Sequence, residues 1–255
     1  MFVDTYAFGW YTLAKGGIKM QIIYVRHGDP TYNPDELTPL GQRQAEAVGK
    51  RVALFGVDKI YASTSNRAKQ TAKPCCEMLK KEMELLDFCN ENYAWRDLHI
   101  KGDDGREDWA FLCMQNEFAS SEMWSMQDKW YEHESVKKHN FGPGIERIQR
   151  DTDEFLKGLG FEHIKNSGKY KILRENKDRI AIFAHQGFGL AFLSCMLDIP
   201  YPAFCTHFDM CHTGMTVIDF TEKDGFAVPK VLTLSNDSHL YRDGMPLDYN
   251  HFIKF

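Results

Sequence analysis

Two short apolar runs, MQIIYV (20–25) and IAIFA (180–184), each stop abruptly at a histidine-bearing segment, and this pattern constrains the fold more than any other feature of the chain. Neither run alternates apolar with polar residues. A strand that is apolar on both faces is buried on both, as in a parallel sheet covered by helices. The first run leads into Arg26-His27-Gly28 and the second into His185-Gln186-Gly187. In open α/β sheets ligands bind outside the carboxyl ends of the strands, so histidines far apart in the chain can meet in one site. A glycine beside each lets backbone approach a ligand closely and begin the next helix or loop.

The stretches between the two runs supply the covering helices. Thr38-Pro39 reads as a cap followed by proline in a first helical turn. Ala45, Val48, Val52 and Phe55 follow at helical spacing, and Gly56 is a natural stop. Lys59–Ala62 is a brief strand, followed by a helix from about Asn66 in which Pro74 predicts a kink or restart. Glu84–Cys89 is a third strand candidate. Over 92–141, Trp95, Trp109, Phe111, Trp124, Trp130 and Tyr131 lie among acids and methionines without strand alternation. That stretch reads as a partly helical insertion with its own apolar cluster, closed by Gly142-Pro143-Gly144. Ile145, Ile148, Thr152, Phe155 and Leu159 return to helical spacing, and late strands are expected at Met215–Phe220 and Lys230–Leu234.

Alternating strands and helices predict a three-layer α/β/α sandwich with a mostly parallel central sheet and a helical, aromatic cap. Residues 20–255 are expected to form a single unit carrying an insertion at about 92–141, and 1–19 an N-terminal extension upstream of Met20. With 31 Lys and Arg against 36 Asp and Glu the net charge is -5, which argues against a general nucleic-acid binder. A 43% hydrophobic content excludes a disordered chain. No apolar stretch reaches the length of a membrane span, and the N-terminus is a poor signal peptide. The 7 cysteines, an odd count without regular spacing, fit free thiols in a reducing cytoplasm.

Ser63-Thr64-Ser65-Asn66-Arg67 follows the Lys59–Ala62 run, which brings Arg67 to the same sheet edge as the two histidines. Two arginines and two histidines at one edge make an oxyanion site, and the arginine fork suits phosphate. Cys205, His207, Cys211 and His212 invite a zinc reading. Their spacing fits no common structural zinc pattern, so they are read as a packed loop, and neither metal nor cofactor is expected.

Four segments in this order, YVRHGDPTYN, LTPLGQRQA, STSNRAKQTA and IAIFAHQG, resemble the histidine phosphatase superfamily, also called phosphoglycerate-mutase-like, over roughly 20–90 and 142–240. The resemblance implies a nucleophilic His27 that forms a covalent phosphohistidine. It places Arg26, Arg67 and His185 around the phosphoryl oxygens and makes Asn33 a neutral donor. One branch of the family carries an aspartate directly after the second histidine, where this chain has Gln186. The other branch uses a glutamate in an Asn-Glu-x-x-Tyr segment, which Asn90-Glu91-Asn92-Tyr93 resembles with the tyrosine one position early, so Glu91 is the expected general acid, with Glu107 and Asp108 as alternates. Asn236-Asp237-Ser238-His239-Leu240 resembles a C-terminal family segment for which a structural use is expected.

Departures from the family pattern bear on the reaction. Asp29-Pro30 replaces the frequent Glu-Thr, so a hydroxyl near the phosphate is missing or displaced to Thr31. The loop between Gly28 and Leu37 is short, and Asn92-Tyr93-Ala94-Trp95 stands in place of a mutase-like Arg-His-Tyr-Gly. Both favour a phosphomonoester hydrolase acting on a small phosphorylated substrate. A phosphoglycerate-type mutase and a non-catalytic phospho-ligand-binding module are the alternatives. Neither substrate identity nor oligomeric state is legible.

Overall fold

The computed structural model describes residues 19–102, 105–247 and 249. The extension expected at 1–19 lies, apart from Lys19, outside the described residues. Strand β1 (Lys19–Arg26) is followed by a small hairpin, β2 (Pro30–Tyr32) and β3 (Asp35–Leu37), and by helix α1 (Pro39–Phe55). The Thr38 hydroxyl accepts the Gly41 amide at 3.0 Å at the start of α1, and Gly56 ends that helix at φ 70°. Then come β4 (Lys59–Ser63), α2 (Asn66–Leu79) and β5 (Met83–Leu86). Pro74 does not interrupt α2, and its side chain lies against Gly49 of α1.

The middle of the chain forms α3 (Glu91–Leu98), a ribbon of β6 (His99–Lys101) and β7 (Glu107–Trp109), and short helices α4 (Ala110–Cys113), α5 (Gln115–Phe118) and α6 (Ser121–Ser125). Helix α7 (Gly142–Gly158) leads to β8 (Phe161–Ile164), β9 (Lys169–Ile172), β10 (Arg179–Ala184) and α8 (Gln186–Leu197). The chain continues through α9 (Tyr201–His207), β11 (Met215–Lys223), β12 (Phe226–Asn236) and α10 (Ser238–Arg242). Among the described residues no helix is long and apolar enough to cross a membrane.

Eight strands form one sheet in the order β5-β4-β10-β1-β11-β12-β9-β8. The pairs from β5 to β1 are parallel, and those from β1 to β8 antiparallel. The parallel half positions the site; β8, β9 and the β2–β3 hairpin have no counterpart in the sequence reading. Side chains of β1 alternate between two cores. Ile23 and Val25 pack with Val48, Val52, Ala72 and Cys75 of α1 and α2, whereas Ile22 and Tyr24 join Phe188 and Phe192 of α8 on the other face. Burial on both faces is why β1 reads as unbroken apolar sequence.

The aromatic residues of 92–141 do not form a separate cluster. Phe118, Met123, Trp130 and Phe141 are continuous with the core on the α8 face, through Tyr201 of α9. A few short helices bury too little area to sustain a core alone, so they share that of the sheet.

Candidate active site

The sheet order explains why distant residues converge. His27 follows β1, His185 follows β10, Arg67 lies in the first turn of α2 after β4, and Glu91 opens α3 after β5. These four strands are neighbours with parallel direction, so their carboxyl ends line one edge. The chain reverses there through backbone packed too tightly for side chains. A β-carbon on Gly28 would come within 2.6 Å of the Gly41 carbonyl oxygen, and one on Gly41 within 2.1 Å of the Asp29 oxygen.

His27 is 3% exposed, and its Nδ1 lies 2.7 Å from the Gly28 carbonyl oxygen. A carbonyl only accepts, so Nδ1 carries the proton and Nε2 keeps its lone pair. Burial, reinforced by His185, Arg26 and Arg67, pushes the His27 pKa well below the usual histidine range. The ring is thus a neutral imidazole with one bare nitrogen.

His185 stands 5.2 Å away, ring centroid to centroid. Arg67 Nη2 donates to its Nδ1 at 3.2 Å, which places the proton on Nε2, within 2.8 Å of Ser63 Oγ and 3.2 Å of Ser65 Oγ. Burial, then Arg67 and Arg26, also hold this histidine neutral. Its backbone is fixed by Tyr24, whose buried hydroxyl donates to the His185 carbonyl at 2.6 Å.

The two arginines are 7% exposed each. Arg67 Nη1 donates to Asp35 Oδ1 at 2.8 Å, the other Asp35 oxygen accepts the Asn66 amide at 2.7 Å, and the Tyr32 ring lies 5.3 Å from the guanidinium. Arg26 donates through Nη1 to the Met210 carbonyl at 2.5 Å and through Nη2 to His212 Nε2 at 3.0 Å. The Nε of each arginine is buried without a hydrogen-bond partner among the described residues. Buried donors of this kind are costly unless an acceptor arrives, and an oxyanion is the acceptor that suits two guanidinium groups.

Glu91 closes the edge. Its Oε1 accepts the Gly187 amide at 3.0 Å and its Oε2 the Phe188 amide at 2.9 Å, at the N-terminus of α8. Burial raises its pKa, and the two amides with Arg67 and Arg26 oppose that rise without cancelling it. The Trp109 indole from the cap lies over Gly187, where a β-carbon would meet it at 2.4 Å.

A family model described as the histidine phosphatase superfamily (branch 1) matches residues 22–231. The chain belongs to this superfamily. A mitochondrial serine/threonine-protein phosphatase Pgam5 from Drosophila yakuba is 36% identical over 83 residues, which are 30% of this chain and 29% of that relative. The match thus spans under a third of the relative's length. The fold is shared with a phosphoserine phosphatase from Entamoeba histolytica solved with 3-phosphoglyceric acid (TM-score 0.55, 20% identity, 87% of this chain and 99% of that one). It is shared also with a mycobacterial glucosyl-3-phosphoglycerate phosphatase (TM-score 0.55, 15% identity, 86% of this chain and 100% of that one).

Not every expected residue of this histidine phosphatase superfamily member lies at the edge. Asn33 sits exposed at the turn between β2 and β3 and makes no hydrogen bond to a site residue among the described residues. The short loop after Gly28 is taken up by this hairpin, whose Asp35 rather than Asn33 reaches Arg67. Glu107 and Asp108 are exposed on β7, and the Asp108 carboxylate is engaged by the Trp109 amide. The cysteine–histidine set disperses: Cys205 Sγ faces the Pro202 carbonyl, the His207 ring meets Trp124, Cys211 pairs with Ser235, and His212 holds Arg26. Asn236 and His239 brace the loop beneath, Asn236 accepting from Arg51 at 2.6 Å and His239 meeting the Thr213 hydroxyl at 3.0 Å. Asp35, Ser63, Ser65 and Trp109 were not singled out for the site, and no local sequence signal marks them.

Proposed function

We propose that this chain is a phosphomonoester hydrolase acting on a small phosphorylated substrate through a covalent phosphohistidine at His27. The observation that carries this reading is the bare Nε2 of a neutral, buried His27 in a site whose two guanidinium Nε donors have no hydrogen-bond partner among the described residues. In the first step Nε2 attacks phosphorus in line, the N–P bond forms and the ester P–O bond breaks. Arg26 and Arg67 neutralise the phosphoryl oxygens, and His185, whose ring nitrogens are engaged by Arg67 and Ser63, holds Arg67 in place beside them. The leaving alkoxide takes its proton from Glu91, whose raised pKa suits a general acid, whereas the amide of Gln186 has no proton to give. In the second step Glu91, now a carboxylate, takes a proton from water as the oxygen attacks phosphorus, which releases inorganic phosphate and restores His27.

Residues 20–255 are read as one catalytic unit with 92–141 as its cap, and the buried thiols of Cys75, Cys76, Cys89, Cys195, Cys205 and Cys211 fit a reducing compartment. The phosphatase names of the similar proteins favour hydrolysis over the mutase alternative. The test is hydrolysis of nitrophenyl phosphate with intact-mass analysis after rapid quenching at neutral pH. A phosphoryl adduct present in the parent and missing in His27→Ala, together with phosphate release, supports the reading. Phosphate binding without an adduct would mark a binding module, and return of the phosphoryl group to an alcohol a mutase.

A further inference from the structure

Arg26 and Arg67 serve one site but are held in opposite ways. Arg67 is anchored by a carboxylate, Asp35, at 2.8 Å, which offsets part of its charge. The hydrogen-bond acceptors that fix the Arg26 guanidinium are neutral, the Met210 carbonyl and the Nε2 of His212, although the carboxylates of Asp209 and Glu91 lie near enough to favour its charge. His212 is 5% exposed, and its ring packs 5.6 Å from that of His27, centroid to centroid. An imidazole that accepts at Nε2 carries its proton on Nδ1, which lies 3.9 Å from Asp29 Oδ1.

The loop that presents these acceptors is itself braced. Thr213, at φ 55°, donates its amide to the His27 carbonyl at 3.2 Å, and the Cys211 amide donates to Ser235 Oγ at 2.9 Å. Its geometry is therefore set from β1, β12 and, through His239, α10. Burial and the adjacent Arg26 lower the His212 pKa to about 3, so the ring stays an acceptor at neutral pH.

We infer that His212 is a positioning residue that fixes the Arg26 guanidinium without adding a negative charge beside it, leaving the buried Nε–H of Arg26 for the phosphoryl group. This rests on the phosphoryl-site reading above. A carboxylate in place of His212 would orient Arg26 equally well while cancelling its charge. An apolar ring would keep the packing against His27 while leaving an Arg26 N–H without an acceptor.

The experiment compares inorganic phosphate binding by calorimetry in the parent and in His212→Gln, His212→Glu and His212→Phe, each also in a His27→Ala background, with thermal unfolding of each. The Gln amide oxygen can accept from Nη2, so affinity is expected within about threefold of the parent. Phe should weaken binding about tenfold, and Glu by about 10- to 100-fold, because a negative charge then lies beside the anion. A merely structural histidine would leave Phe binding phosphate like Gln at equal thermal stability. Equal affinity of the Glu and Gln variants, or parent-like affinity in Phe, would overturn the inference.

A second measurement stands apart from folding of the variants and from turnover. Nitrogen-15 NMR of the parent protein should show His212 with a protonated Nδ1 and a bare Nε2. A proton on Nε2 would overturn the inference. If the parent protein neither binds phosphate nor forms a phosphoenzyme, the functional reading fails, while the tautomer still decides how Arg26 is held.

Discussion

Replacing Glu91 by glutamine tests the proposed proton donor most sharply, because the two losses it should cause differ in size and kind. Glu91 accepts two amides at the start of α8, at 3.0 and 2.9 Å. Glutamine keeps one acceptor oxygen and turns an NH₂ toward the other amide, so one charge-assisted hydrogen bond, worth roughly 1.5–3 kcal/mol, is lost. Relief of a buried carboxylate offsets part of this, which leaves about 1–2 kcal/mol and a melting shift of roughly 2–8 °C. The folded fraction near 25 °C therefore stays high, and any large rate effect is chemical.

A positioned acid contributes about 10²–10⁴-fold when the leaving group is a poor alkoxide. Nitrophenolate leaves without help, so nitrophenyl phosphate hydrolysis should fall by less than about tenfold. Quenched-flow measurement of phosphoenzyme formation from an alkyl phosphate isolates the first step, and steady-state turnover reports the second. The donor must be protonated in the first step, so the rate of phosphoenzyme formation in the parent should decline as pH rises through the raised pKa of Glu91. That limb should vanish in the variant. Phosphoenzyme formation from the alkyl ester at the parental rate would refute the assignment.

Three further outcomes are expected. Chelator should leave hydrolysis nearly intact and vanadate should inhibit it if, as proposed, Arg26 and Arg67 carry the charge stabilisation; abolition by chelator and rescue by one divalent ion would point to metal chemistry. Away from the site, burial lowers the pKa of His163, but hydrogen bonds to Asp153 at 2.8 Å and Asp198 at 3.0 Å outweigh this and raise it to about 9. Its contribution is fully present below pH ~6.5 and lost as pH rises through about 9, so His163→Phe should cost roughly 2–3 kcal/mol at pH 6 in urea unfolding and much less at pH 10. Gly187→Ala drives a β-carbon to 2.4 Å from the Trp109 indole, so it should cost roughly 1–3 kcal/mol and change tryptophan fluorescence. An unchanged spectrum would show that the cap does not rest on α8 as described.

Much of the site was legible because its signals are local. An apolar strand followed by histidine and glycine declares both a buried strand and a side chain at its carboxyl end, and β1 and β10 are neighbours with the same direction. The first turn after β4 announced Arg67 in the same way. Asn33 falls on the exposed turn of the β2–β3 hairpin, which loop length alone does not predict, and Asp35 of that hairpin holds Arg67. The aromatic insertion was visible as a change of composition, but its union with the main core through Tyr201 depends on α9, far along the chain.

The sequence by itself determined which strands are buried on both faces, where α1 starts and stops, and which imidazoles and guanidinium groups reach one sheet edge, since each follows from neighbouring residues. The tertiary structure alone decided the protonation geometry. His27 is left with a bare Nε2 by its own backbone, His185 with a bound Nδ1 by Arg67, and Arg26 with neutral anchors by a loop from the far side of β1. Hydrogen-bond partners and burial assign a proton to one nitrogen or the other, and both are properties of packed neighbours that spacing along a chain does not encode.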